Sequence, residues 1–322
     1  MGSCSPQTGS TGGYWLAGSD GSVSPFGSAL SHTYGGVGPA QLSSPVVGME
    51  STCSGNGYWL VKRDGGIVAL GDAVVHSYGD VSGSHLSQPV VGMAATKSGN
   101  GYWLVAADGS VFPFGDAVAY HNGGPAVNKP IVAMEVTASG KGYWLVASDG
   151  SVFSFGDAAA HSYGGADSVP LNKPIVAMKR TRDGNGYWLV GSDGTVFPFG
   201  DANEHSYGGA EDMGLKQPIV GMEPTESGDG YWLASADGNV YPFGDAGTYG
   251  STGSTTSAAP IVAIEGVPYT PLTVQSLAAV PAGAAGGSPS APPILPLVLG
   301  VAAILVGAAG FRMFRGRIRL AL

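Results

Sequence analysis

The chain has 322 residues, of which 55 are Gly, 22 are Pro and only 11% are charged, against about a quarter in ordinary globular proteins. A content of 43% hydrophobic and 9% aromatic residues excludes a solvated, disordered polyampholyte, and the glycine content argues against a helical bundle. All 23 acidic residues lie at or before Glu265 with ten of the basic ones, a net of −13 that repels phosphate backbones and argues against nucleic-acid binding.

Residues 1–12 read as a disordered lead. From residue 13 the chain repeats itself: Trp occurs at 15, 59, 103, 144, 188 and 232, each in Gly-Tyr-Trp-Leu, at spacings of 44, 44, 41, 44 and 44. One unit divides by its turn residues. Pro130-Ile131-Val132-Ala133-Met134 is a short apolar run suited to a buried strand, and Tyr143-Trp144-Leu145-Val146 is a second, aromatic and β-branched run. Asp149-Gly150 joins it to Ser151–Phe155 and predicts a tight type I′ hairpin. Gly156-Asp157 turns into a weaker fourth run, Ala160-His161-Ser162-Tyr163. Four short antiparallel strands per unit predict an all-β fold, a six-bladed β-propeller of four-stranded blades over 13–266.

The one short unit loses its three residues between His121 and Pro130, so that segment is read as the crossover between blades and Pro-Ile-Val as the innermost strand. The first Gly-Tyr-Trp lacks a Pro-Ile-Val before it, and the last Pro-Ile-Val lacks a Gly-Tyr-Trp after it. Residues 260–265 are therefore expected to pair with 14–19 and close the ring without an exposed edge. The rival arrangement makes Pro-Ile-Val the outermost strand of six complete blades.

These units resemble the GYW–DG–FGDA repeats of actinobacterial surface and secreted proteins, which occur alone or beside hydrolase domains. Their Asp-Gly-x-Val-Phe/Tyr-x-Phe-Gly core is also similar, more weakly, to chromosome-condensation-regulator propeller repeats. Two departures stand at the ends: Ser28 replaces the Asp of Gly-Asp-Ala, and Tyr249 stands where His is expected. The resemblance implies a surface or secreted protein and assigns no activity.

Residues 266–311 contain no charge. The Pro, Ala, Gly and Ser of 267–293 predict a stalk. The apolar stretch 294–311 predicts a single transmembrane helix, since 18 residues span about 27 Å. Arg312, Arg315, Arg317 and Arg319 follow within the tail 312–322, which predicts a cytoplasmic C-terminus and an extracellular propeller anchored in the cell membrane. That orientation needs a leader, and no apolar h-region precedes Gly13, so either the start lies upstream or insertion takes another route. Cys4 and Cys53 allow one bridge or two free thiols.

Candidate functional residues are few, and none is assigned a catalytic role. Repeated His32, His76, His121, His161 and His205 fall on separate blades and read as structural. The Asp of each Asp-Gly and of each Gly-Asp reads as turn chemistry. The residue after each inner-strand Met (or Ile264) is Glu50, Ala94, Glu135, Lys179, Glu223 and Glu265. These ring one channel mouth, either as a solvated rim or as a site for calcium or another cationic group. Lys62, Arg63, Lys179, Arg180 and Arg182 break the acidic consensus and read as surface drift or a partner-contact patch. The sequence thus predicts a binding or scaffolding module for envelope glycan or protein. The alternative is a propeller hydrolase acting on envelope material with channel-mouth carboxylates as acid and base.

Overall fold

The computed structural model describes residues 10–121, 124–253 and 259–268. Eighteen strands form six three-stranded antiparallel sheets. Blade 1 is β18 (Ile261–Pro268), β1 (Ser10–Gly18) and β2 (Val23–Gly27). Blade 2 is β3 (Val46–Ser51), β4 (Gly57–Lys62) and β5 (Ile67–Gly71), and blade 3 is β6 (Val90–Ala95), β7 (Gly101–Ala106) and β8 (Val111–Gly115). Blade 4 is β9 (Ile131–Val136), β10 (Gly142–Ala147) and β11 (Val152–Gly156). Blade 5 is β12 (Ile175–Arg180), β13 (Gly186–Gly191) and β14 (Val196–Gly200), and blade 6 is β15 (Ile219–Pro224), β16 (Gly230–Ser235) and β17 (Val240–Gly244).

The first strand of each blade is the inner one. Strands β3, β6, β9, β12, β15 and β18 touch in that cyclic order and line one central cavity. The circle closes because β18, from the far end of the ring, pairs antiparallel with β1, Trp15 opposite Glu265 and Leu16 opposite Ile264.

Among the described residues each blade has three strands, and the expected fourth does not form. Four of the six Gly-Asp-Ala (or Gly-Ser-Ala) segments wind into 3-10 turns: Ser28–Ser31, Asp72–His76, Asp157–His161 and Asp201–His205. Runs such as Ala158-Ala159-Ala160 have no β-branched or aromatic side chains to fill a pleated edge, while the preceding Gly156 sits at φ 65°, a bend that a strand cannot continue through. The Asp-Gly hairpin also differs from the two-residue type I′ turn. Gly65 N–H donates to Lys62 O and Lys62 N–H to Gly66 O, both at 2.9 Å, which makes a three-residue loop ending in a left-handed glycine. Asp64 Oδ1 accepts the Gly66 N–H at 2.9 Å, and Asp108, Asp149, Asp193 and Asp237 make the same two-residue reach.

Middle strands read as unbroken apolar runs because both of their faces are covered. On β4, Trp59 and Val61 pack with Tyr102 and Leu104 of the next blade, and alternate residues face the previous one. All six Trp and their six Tyr neighbours are fully buried. Each Trp meets the Tyr of the next blade, from Trp15–Tyr58 at 5.3 Å between ring centroids round to Trp232–Tyr14 at 5.5 Å. These tilted or edge contacts each contribute about 0.5–1.5 kcal/mol beyond area burial. Most of the tyrosine hydroxyls reach back to the preceding crossover, as Tyr58 Oη donating to Gly35 O at 2.6 Å. An aromatic circuit thus runs through all six joints.

Two repeated polar residues brace most of the blades. Trp15, Trp144 and Trp188 Nε1–H donate to the carbonyls of His32, His161 and His205. The imidazoles of His76, His161 and His205 lie within 3.3 Å of the hydroxyls of Tyr78, Tyr163 and Tyr207, and His121 meets Tyr143 Oη at 2.9 Å and stacks on Phe155. The Asp after each outer strand does more than turn the chain. Asp72 accepts from Thr52 Oγ1 at 2.7 Å and Ser54 Oγ at 2.5 Å, tying the outer edge to the turn that follows the inner strand. Asp116, Asp157 and Asp245 repeat this brace with Thr96/Ser98, Thr137/Ser139 and Thr225/Ser227. Ser28 falls where that turn does not exist, since the inner and middle strands of blade 1 come from opposite ends of the ring.

The expected stalk, span 294–311 and basic tail lie outside the described residues. Among the described residues, no helix is long and apolar enough to cross a membrane.

Candidate functional site: the charged mouth of the central channel

The inner strands bring Val47, Val91, Val132, Val176, Val220 and Val262, then a tier of Gly or Ala, then the charged positions, to the wall of a cavity of about 260 Å³. An added Cβ at Gly48 would meet Gly92 Cα at 3.9 Å, an ordinary contact, whereas at Gly221 it would meet Ile264 Cγ2 at 3.1 Å. Small residues are therefore demanded tightly at only part of this tier.

Each charged-tier residue is the register partner of a Trp: Glu50 of Trp59, Ala94 of Trp103, Glu135 of Trp144, Lys179 of Trp188, Glu223 of Trp232 and Glu265 of Trp15. Opposed residues of an antiparallel pair share a face, and here that face looks toward the next blade. The tier accordingly reaches across four of the joints. Glu265 Oε1 accepts from Ser51 N–H at 3.2 Å and Ser51 Oγ at 2.8 Å, and Glu50 Oε1 accepts from Ala95 N–H at 3.0 Å. Glu135 Oε1 lies 3.4 Å from Arg180 Nε, and Lys179 Nζ lies 2.9 Å from Glu223 Oε2 and 3.8 Å from Glu265 Oε2. Ala94 has no side chain long enough to do likewise.

The tier is not a solvated rim. Arg180 and Glu223 are buried, with side chains 6% and 8% exposed. Burial pushes the Glu223 carboxyl up to about 7 against the pull of Lys179. Burial, then the Glu265 charge, also lifts Glu50 well above the usual carboxylate range, and burial raises Glu135. Burial disfavours the Lys179 ammonium, yet Glu223, Glu265, Glu135 and Glu50 together hold its pKa well above the ordinary lysine value. The Lys179 ammonium is the cation that holds Glu223 Oε2. A lysine of the chain itself thus occupies the cation position that the glutamates create.

The five basic candidates do not meet. Lys179 and Arg180 belong to the channel mouth, and Arg182 is exposed on the turn beyond it. Lys62 pairs in register with Val46, at the opposite end of blade 2 from Glu50, and its ammonium is held by Ser43 at 2.6 Å and Asp64 at 3.7 Å. Arg63 follows it in the same hairpin loop. Cys53, at the mouth, is disulfide-bonded, and Cys4 lies outside the described residues. Among the described residues no group of three His, Cys, Asp or Glu is placed to hold a metal ion.

In blade 5 Asp183 replaces the brace Ser and confronts Asp201. Against burial, hydrogen bonds from Asn185 and Thr181 and the contact with Asp201 bring Asp183 down to about 2, while burial and Asp183 push Asp201 up.

The chain is similar to the β-propeller domain of Myceliophteria thermophila Cps50 (Swd1), with a TM-score of 0.52 and 10% identity over 80% of this chain and 83% of that one. The fold is a β-propeller. At that identity the likeness extends to the fold alone, and the narrower resemblance to actinobacterial repeats rests on the motifs. No protein-family profile matches the chain, and no curated protein matches it.

Proposed function

We propose that this propeller is a binding module, displayed outside the cell on a C-terminal membrane anchor and engaging a protein or glycan of the envelope. The observation that carries the binding reading is the broken symmetry of the channel mouth. At the tier register five inner strands place a charged residue and that of blade 3 places Ala94, its nearest charge being Lys97 on the turn beyond, although the surrounding framework repeats closely. The apolar, uncharged stretch 294–311 followed by four Arg supports the anchor. Carbonate extraction and external protease digestion of intact cells test the placement: the full chain should stay in the membrane fraction while its propeller is accessible from outside. Release by carbonate refutes the anchor. Affinity capture from envelope extract with the full chain in detergent tests the binding.

One observation favours a second reading as a hydrolase. Glu223, whose carboxyl burial pushes up to about 7, shares a cavity with Glu50, Glu135 and Glu265, and a carboxyl so placed suits general acid catalysis. Turnover of envelope glycan by the wild type, abolished by Glu223→Gln, would establish it; saturable binding without turnover supports the module.

A further inference from the structure

Two independent departures from sixfold symmetry fall on one face and on neighbouring blades. The first is Ala94 on β6, between Glu50 on β3 and Glu135 on β9, directly across the ring from Glu223 on β15. Lys179 leans toward Glu223 and Glu265 on the far side, and Arg180 is engaged with Glu135. Glu50 therefore has a backbone N–H as its one hydrogen-bond partner and no cation within ion-pair distance among the described residues. The second departure is apolar. Leu30, Val74, Val75 and Val118 are all more than half exposed, on the segments that follow the outer strands of blades 1, 2 and 3. The corresponding positions of blades 5 and 6 carry Asn203, Glu204, Gly247 and Thr248.

Both features face the same way, because the Asp72 brace joins the segment bearing Val74 and Val75 to the turn just after Glu50. Two strand spacings separate the inner strand from the outer one, about 10 Å. That is the reach of three extended residues.

The geometry points to a peptide-binding site: a lysine or arginine side chain of a protein partner enters the mouth over Ala94 to pair with Glu50, and apolar residues about three positions away lie on Val74, Val75 and Val118. The acidic propeller body, at −13, favours a cationic occupant. A bare metal ion suits the site less, because Lys97, Lys179 and Arg180 already line it, Lys97 Nζ donating to Ala138 O at 2.9 Å on the side away from Glu50's blade.

The test is calorimetric titration of the full chain in detergent with acetyl-Lys-Gly-Gly-Val-Leu-amide and with the same peptide carrying norleucine for lysine. Saturable binding of the lysine peptide, with the norleucine peptide at least about tenfold weaker, is expected. Glu50→Gln removes the charge and Ala94→Met fills the notch without adding one; each should weaken the lysine peptide about tenfold. Val75→Ser, on the exposed rim, should weaken both peptides without affecting folding, and it decides the matter with Glu50→Gln should Ala94→Met fail to fold. Equal affinity for the two peptides, no saturable binding, or indifference to Glu50→Gln overturns the site. The inference rests on the binding-module reading. An envelope partner captured equally by wild type and Glu50→Gln overturns the site alone, whereas capture of no partner by the wild type overturns the module.

Discussion

Raising the pH from 5 to 8 should destabilise this propeller, and Glu223 should carry much of the effect. A carboxyl whose folded pKa is raised contributes stability while it is protonated. That contribution is complete below the ordinary value of 4.5 and is lost as pH rises through about 7. The gap between the two values corresponds to about 3 kcal/mol. Glu50 and Glu135 are shifted in the same direction, so they add to the slope. For a folded unit of this size a loss of about 3 kcal/mol lowers Tm by roughly 6–12 °C. Scanning calorimetry of the wild type and Glu223→Gln from pH 4.5 to 8 measures it. The wild type should lose Tm across that window, and the glutamine variant should lose markedly less, whatever its absolute stability after losing the Lys179 pair. A wild-type Tm that rises or stays level between pH 5 and 8, or a variant with the same slope, would refute the buried-carboxyl account.

Asp157→Ala removes the acceptor for Thr137 and Ser139 and should cost about 2–3 kcal/mol, read by urea denaturation. Ser28→Asp should restore none of this, because blade 1 has no corresponding Thr-x-Ser turn; a stabilised variant contradicts the brace. Gly156→Ala places a side chain at φ 65°, with its Cβ driven onto Lys141 O, and should lower Tm by several degrees more than Gly48→Ala, whose Cβ meets nothing closer than 3.9 Å. On the acid side, Asp183 contributes stability above its ordinary value of 3.8 that is lost as pH falls through about 2. Asp183→Ser, which restores the side chain found in blades 2, 3, 4 and 6, should flatten that acid limb in the same calorimetry.

The period of Trp and the alternating apolar runs made the three strands of each blade legible, because those runs must be buried on two faces. The fourth strand was misread because Ala160-His161-Ser162-Tyr163 sits where a strand would be useful, and its weak β character was the signal against it. The Gly-Asp aspartates looked like turn residues since their partners, 18 and 20 positions earlier, are ordinary Thr and Ser. The pairing of Thr-x-Ser with a later Asp, and the loss of that Asp at Ser28 alone, was the available clue. Lys179 and Arg180 are consecutive and looked like one surface patch. Strand alternation turns consecutive side chains to opposite faces, yet at the narrow mouth one reaches Glu223 and the other Glu135. Their mutual neutralisation with the glutamates depends on ring curvature, which no local spacing encodes.

The pairing of β18 with β1 also sets a schedule for folding. Its partners are separated by about 250 positions in the chain, among the longest loop closures the sequence allows. Blades 2 to 6 can assemble as they are synthesised, but blade 1 stays a two-stranded hairpin until residue 268 has emerged. The aromatic circuit then gains its sixth contact, Trp232 on Tyr14, in the same event. Ring completion is thus a single late step, and a chain truncated before Ile261 should accumulate as an unclosed arc with both flanks sticky, vulnerable to proteolysis and to pairing with a neighbour of its own kind.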